Sequence, residues 1–182
     1  RLSGPLDLPA FERTINEIVR RHESLRTTFA VMDGRPVQVV SPCLTLEVPV
    51  NDLSRLPEPE REAEALRLAA EDARRPFNLS TGPLLRAGLI RLGETDHAVT
   101  LTTHHIVSDG WSMGVLVSEI AALYHAFSRG RPSPLPDLPI QYADFSEWQR
   151  EYMKGALLER QLAYWKRRLG GDVPVLKLPA DR

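Results

Sequence analysis

His104-His105-Ile106-Val107-Ser108-Asp109-Gly110-Trp111-Ser112 is the stretch from which the organisation of this chain is read. An apolar, β-rich run enters it, Ala98-Val99-Thr100-Leu101-Thr102-Thr103-His104-His105. A helical run leaves it, with Met113, Leu116, Val117, Ile120, Leu123, Tyr124 and Phe127 at the i, i+3, i+4 spacing of a buried face, ending before Gly130. Upstream, Pro83 to Leu92 reads as a partner strand joined through Gly93-Glu94-Thr95-Asp96. The stretch therefore marks the point where a hairpin hands over to a helix.

Further towards the N-terminus, Asp7 is placed to cap a helix with Pro9 in its first turn and Phe11, Ile15, Ile18 and Val19 on its apolar face, ending near His22-Glu23-Ser24. Leu25 to Val31 and Pro36 to Val40 flank Asp33-Gly34, a strong hairpin signal, with Pro36 at an edge or strand start. Leu44 to Val50 predicts a third short strand, placed at an edge by Pro49, before a loop at Asn51-Asp52-Leu53-Ser54. Residues 60–74 predict a helix with Leu66, Ala69, Ala70 and Ala73 inward. Beyond the Pro132, Pro134, Pro136 and Pro139 linker, Tyr142 to Gln149 precedes a helix that aligns Leu158, Leu162, Trp165 and Leu169. Two hairpins argue against a purely parallel sheet, so the expected fold class is α/β (α+β), a mixed sheet in a layered architecture.

At 182 residues, with 42% hydrophobic and 26% charged, the chain suggests one globular domain by length. Lys+Arg 23 against Asp+Glu 24 leaves a net charge of -1, so no global field favours nucleic acid or an anionic membrane. The single cysteine, Cys43, makes no internal disulfide, and no apolar run reaches membrane-spanning length. These features read as cytoplasmic. The start at Arg1-Leu2-Ser3-Gly4, without an initiator Met, and the stop at Leu178-Pro179-Ala180-Asp181-Arg182, just past a helix, read as cut ends.

Chemistry concentrates in the opening stretch. Adjacent strand residues face opposite ways, so His105 shares the face of Val99, Leu101 and Thr103, while His104 continues that of Ala98, Thr100 and Thr102. Two imidazoles so placed do not converge on one metal, and no other His or Cys cluster has ligand spacing, so no metal site is expected. A lone histidine at a strand end is most often structural, but this one precedes Asp109-Gly110 at a strand-to-helix corner. There a glycine lets backbone approach a ligand and a helix N-terminus favours developing negative charge. Asp109 and Gly110 also fit the plainer roles of helix cap and turn. Ser108 and Ser112 lack the Gly-x-Ser-x-Gly elbow of a serine hydrolase, and Ser112 reads as a helix cap. An imidazole without a protein nucleophile suits direct transfer between two bound substrates, with His105 handling the acceptor's proton.

The same nine residues resemble the HHxxxDG signature of the condensation domains of nonribosomal peptide synthetases. Arg21-His22-Glu23-Ser24-Leu25-Arg26-Thr27-Thr28-Phe29 is similar to that family's RHExLRTxF segment, and Tyr142-Ala143-Asp144-Phe145-Ser146-Glu147-Trp148-Gln149 to its YxDFxxWQ segment. The resemblance implies a chloramphenicol acetyltransferase-like fold of two lobes in a V, with the active site in a tunnel between them. It implies that residues 1–182 are the N-terminal lobe, lacking the first strand and the whole C-terminal lobe, and that the fragment is inactive alone, with apolar surface exposed on its lobe face.

By the same resemblance, donor acyl or peptidyl and acceptor aminoacyl groups arrive as phosphopantetheine thioesters on donor and acceptor peptidyl carrier domains, beside an adenylation domain in the parent chain. The acceptor amine attacks the donor carbonyl to form an amide, and the domain binds no cofactor of its own. His105 falls on the catalytic histidine. His104, Asp109 and Gly110 support its loop, with Asp109 in an ion pair to Arg21. Arg26, Trp111, Ser112 and Trp148 are secondary supports; for Arg26 and Trp148, ordinary packing is the plainer account. The alternatives are a free-standing acyltransferase of the same superfamily and a non-catalytic carrier-binding fragment. The continuation Trp111-Ser112-Met113-Gly114-Val115-Leu116 looks more like a condensation domain than an epimerisation domain, and heterocyclisation domains carry an Asp-based motif instead.

Overall fold

Asp7 starts the first helix as the sequence predicts: its side chain accepts the Ala10 N–H at 3.0 Å, and helix α1 runs Leu8–Arg21 with Pro9 in its first turn. The structure is a computed structural model that describes residues 1–172, so the Leu178–Arg182 tail lies outside the described residues. The chain forms two compact units, Arg1–Gln141 and Tyr142–Arg182, where length alone suggested one.

In the first unit, strand β1 (Leu2–Ser3) precedes α1. After α1 the chain makes a 3-10 turn at Glu23–Arg26. Strand β2 therefore begins at Thr27, two residues later than expected, because Leu25 is spent filling the core beneath the turn. Strands β2 (Thr27–Met32) and β3 (Arg35–Val40) pair antiparallel across Asp33 and Gly34, whose φ values of 50° and 73° fit a type I′ turn.

The expected strand over Leu44–Val50 is displaced. Leu46 and Val48 are buried, but as extended chain without ladder bonds, and strand β4 is Val50–Asp52, where a loop was expected. Helix α2 (Glu58–Arg74) forms, but its inward residue is Ala65; Leu66 is 65% exposed and Ala73 is exposed too. Its single buried residue leaves propensity rather than a deep apolar stripe to carry most of this helix.

Strands β5 (Leu85–Arg91) and β6 (Asp96–Thr103) form the central hairpin, and helix α3 (Gly110–Phe127) follows. The larger sheet has the order β1-β6-β5-β4, with β4 parallel to β5 and the other pairs antiparallel, a mixed sheet as the two hairpins predicted. Strand alternation divides its faces. Leu85, Ala87 and Leu89, with Val99 and Leu101, pack against Phe11, Ile15, Ile18 and Val19 of α1 and Leu116, Leu123 and Phe127 of α3. The opposite face, carrying Ile90 and Ala98, packs against Ala65 and Leu68 of α2. The sheet thus lies between helices on both faces. Val117, assigned to the inward stripe of α3, is 59% exposed.

The second unit contains helices α4 (Tyr142–Tyr152) and α5 (Gly155–Leu169), neither with a buried residue. Tyr142, Phe145, Trp148 and Tyr152 form a ladder of rings along α4, with successive centroids 5.9, 5.6 and 5.1 Å apart. Leu158, Leu162, Trp165 and Leu169 of α5 are all exposed.

Candidate active site

The β6 strand ends at Thr103, two residues before the expected end, and the two histidines lie beyond it. His104 N–H still donates to the Leu84 carbonyl at 3.0 Å, and the His104 carbonyl accepts from Val107 N–H at 3.1 Å, closing a turn. The side chain joins in: His104 Nδ1 accepts the Ile106 N–H at 3.0 Å. An imidazole that accepts at Nδ1 carries its proton, when neutral, on Nε2. The His104 ring meets Phe77 edge to face, with centroids 6.0 Å apart and planes at 89°. His104 is thus partly buried and committed to the turn, whereas His105 is exposed.

Asp109 accepts from Ser112 N–H at 2.8 Å and Ser112 Oγ at 2.6 Å, and its carbonyl accepts from Met113 N–H, which makes it the N-cap of α3. Ser112, read as the cap from sequence, instead donates to the cap. The Ser112 hydroxyl, then its backbone N–H, hold the Asp109 carboxyl below its ordinary value, with the nearby His105 adding a smaller pull. Asp109 is consequently a carboxylate at neutral pH. Gly110 opens α3 without a positive φ, and a Cβ there would meet nothing within 4 Å, so the turn itself does not demand glycine. Trp111 beside it is 85% exposed.

The expected ion pair between Arg21 and Asp109 does not form. Arg21 places Nε and Nη2 each 3.3 Å from the Glu119 carboxylate, and its Nη1 donates to the Pro136 carbonyl at 2.8 Å. His22 Nε2 lies 2.8 Å from the same carboxylate. Gln141 extends the junction: its side-chain amide donates to the Arg21 carbonyl at 2.9 Å and accepts from the Glu23 N–H at 3.1 Å. The physical reason for the correction is depth: Arg21 is 4% exposed and needs a buried counter-charge, which mid-helix Glu119 supplies and exposed Asp109 does not. Burial is the largest single effect on Glu119 and raises its pKa, but the hydrogen bonds from Arg21 and His22 outweigh it and hold the carboxyl below its ordinary value. Arg26 donates to the Ser41 carbonyl and pairs with Glu23 at 3.2 Å, tying the 3-10 turn to the end of β3. Trp148 stacks on Tyr152 within the second unit.

Sequence reasoning missed Glu119, Phe77, Arg86 and Asp72. The signal was present in two of them: Glu119 is a lone acid in an apolar helix and Arg86 a cation between the apolar residues Leu85 and Ala87 of a strand, and a charge so placed requires a partner. Among the described residues, no group of three or more His, Cys, Asp or Glu side chains could hold a metal ion, and no helix is long and apolar enough to cross a membrane.

A family model described as Condensation domain matches residues 1–182. Chondramide synthase cmdD of Chondromyces crocatus is 53% identical over 99% of the chain, which covers 5% of that protein. A linear gramicidin synthase of Brevibacillus parabrevis is 50% identical over the whole chain, which covers 2% of it. Among solved structures, the X-domain from teicoplanin biosynthesis superposes with a TM-score of 0.85 at 31% identity, covering 100% of this chain and 40% of that one. The first condensation domain of the calcium-dependent antibiotic synthetase, in complex with a substrate analogue, superposes with a TM-score of 0.80 at 29% identity, covering 92% of this chain and 40% of that one. The chain therefore spans a small fraction of the curated relatives and about two fifths of the solved ones.

Proposed function

The chain belongs to the condensation-domain family of nonribosomal peptide synthetases, and on that premise we propose that its parent protein joins a donor acyl or peptidyl thioester to an acceptor aminoacyl thioester through an amide bond. The observation that carries this reading is the pair of unlike histidines: His104 is bound into the turn, and His105 is exposed beside a carboxylate that caps α3. His105 handles the proton of the acceptor amine. An α-amino group has a pKa of about 8, so at neutral pH about a tenth of it is already a free nucleophile. The imidazole orients that amine and accepts its proton as the tetrahedral species forms, and the donor thiol leaves when that species collapses.

The substrates travel on the phosphopantetheine arms of donor and acceptor carrier domains, with an adenylation domain in the same parent chain, and the domain itself binds no cofactor. The protein works in the cytoplasm. Residues 1–182 act as the N-terminal lobe, and the long synthases and synthetases among the relatives favour this reading over a free-standing acyltransferase.

The test is His105→Ala in the complete condensation domain, assayed with loaded carrier proteins. Product formation should vanish while the urea unfolding curve stays in place; near-normal product would overturn the assignment. Run in parallel, residues 1–182 alone should give no product, since the solved relatives supply roughly the other three fifths of the domain.

A further inference from the structure

Arg86 lies on the α2 side of the sheet, with its side chain only 12% exposed. Its Nε donates to Asp72 Oδ1 at 3.0 Å, and its Nη2 donates to the carbonyls of Asp72 at 2.7 Å and Arg75 at 2.9 Å. A cation there adds bonds to carbonyls at the C-terminus of α2, the negative end of the helix dipole. Thr102 Oγ1 donates to the other Asp72 oxygen at 2.6 Å, so β5, β6 and α2 are tied together at one carboxylate. Burial is the largest effect on Asp72 and raises its pKa, but the bonds from Thr102 and Arg86 outweigh it and keep the carboxyl below its ordinary value.

The guanidinium so fixed sits over the Phe77 ring, 3.8 Å from its centroid. Phe77, just beyond the end of α2, in turn meets the His104 ring. His104 Nδ1 holds the Ile106 N–H and thereby the turn that contains His105. We propose that Phe77, held between the Arg86 guanidinium and the His104 imidazole, is a positioning residue that fixes the turn presenting His105. It rests on the reading of His105 above. Phe77 touches neither substrate nor reacting atoms in this role. Its ring limits where the His104 imidazole can go, and the Nδ1 bond transmits that limit to the backbone on which His105 is carried. A misplacement on the order of 1 Å at a reacting group costs about a hundredfold in rate, so small slack in this turn is felt in catalysis.

The experiment compares Phe77→Leu, Phe77→Tyr and Arg86→Lys with wild type and His105→Ala in the complete domain, reading kcat and KM with loaded carriers and the imidazole nitrogen signals by NMR. Phe77→Leu should lower kcat about ten- to a hundredfold with KM within about twofold, and should shift His104 from the Nε2–H tautomer to a mixture. Phe77→Tyr should restore both. Arg86→Lys keeps the charge at Asp72 and loses the planar stack, so it should show the same tautomer mixture; it decides the question if Phe77→Leu does not fold. Unchanged kcat and an unchanged His104 tautomer in the folded variants would overturn the proposal while His105→Ala remains inactive. If His105→Ala is itself active, the reading of His105 fails, and the tautomer shift alone still decides whether Phe77 orders the turn.

Discussion

The contact between Arg21 and Glu119 joins the end of α1 to the middle of α3, and its loss should be felt through the whole first unit. Two guanidinium nitrogens lie 3.3 Å from the carboxylate, with side-chain exposures of 2% for Arg21 and 14% for Glu119. At an effective dielectric of about 20, the gross attraction at that separation is about 5 kcal/mol, most of which offsets the desolvation of the two groups. The net worth of the pair is small, but removing one partner strands the other. Arg21→Met or Glu119→Leu alone should therefore cost about 3–5 kcal/mol in urea unfolding of the complete domain at neutral pH. The double variant replaces the pair by apolar groups and should cost less than the sum of the singles by about 2–3 kcal/mol. Additivity to within about 0.5 kcal/mol would refute the pairing. So would a coupling of about 2–3 kcal/mol between Arg21→Met and Asp109→Ala, which would restore the partner expected from sequence.

Two further outcomes follow from the same contacts. Because the Glu119 carboxyl sits below its ordinary value in the fold, its contribution is present above the unfolded carboxyl pKa of about 4.3 and is lost as pH falls through the folded value. Glu119→Gln should flatten the acid limb of stability against pH, and an unchanged acid limb would contradict this. At the cap of α3, Ser112→Ala removes the largest of the effects lowering the Asp109 pKa, so carboxyl carbon NMR should show that pKa rising towards the ordinary carboxylate range. No rise would show that the hydroxyl does not hold the charge.

Local pattern was enough for much of the architecture. Asp7 with Pro9, the Asp33-Gly34 turn and the apolar spacing of α3 each encode their backbone within a few residues, and each element forms where expected, with Val117 alone of the α3 stripe turned to solvent. Strand alternation also assigned His104 to the side of Thr102 although the strand stops short of it; its ring meets Phe77, which lies under Arg86. The inward face of α2 was misread because the sheet meets the face that carries Ala65 and Leu68, which turns the neighbouring Leu66 to solvent.

The motif around His104 and His105 and the two segments that accompany it were sufficient, by themselves, to indicate the family and the histidine on which the proposed chemistry turns. They could not identify the partner of Arg21. Glu119 is 98 residues away along the chain, and only the packing of α1 on α3 brings them together, at a depth where an unpaired cation is too costly to keep. The same holds for the contacts behind the turn that carries His105. Asp72, Phe77, Arg86 and His104 meet because α2, the segment after it and the central hairpin share one side of the sheet. Short-range sequence sets backbone conformation through sterics and hydrogen bonding to near neighbours, whereas the choice of counter-ion and ring partner is settled by which distant side chains are desolvated together.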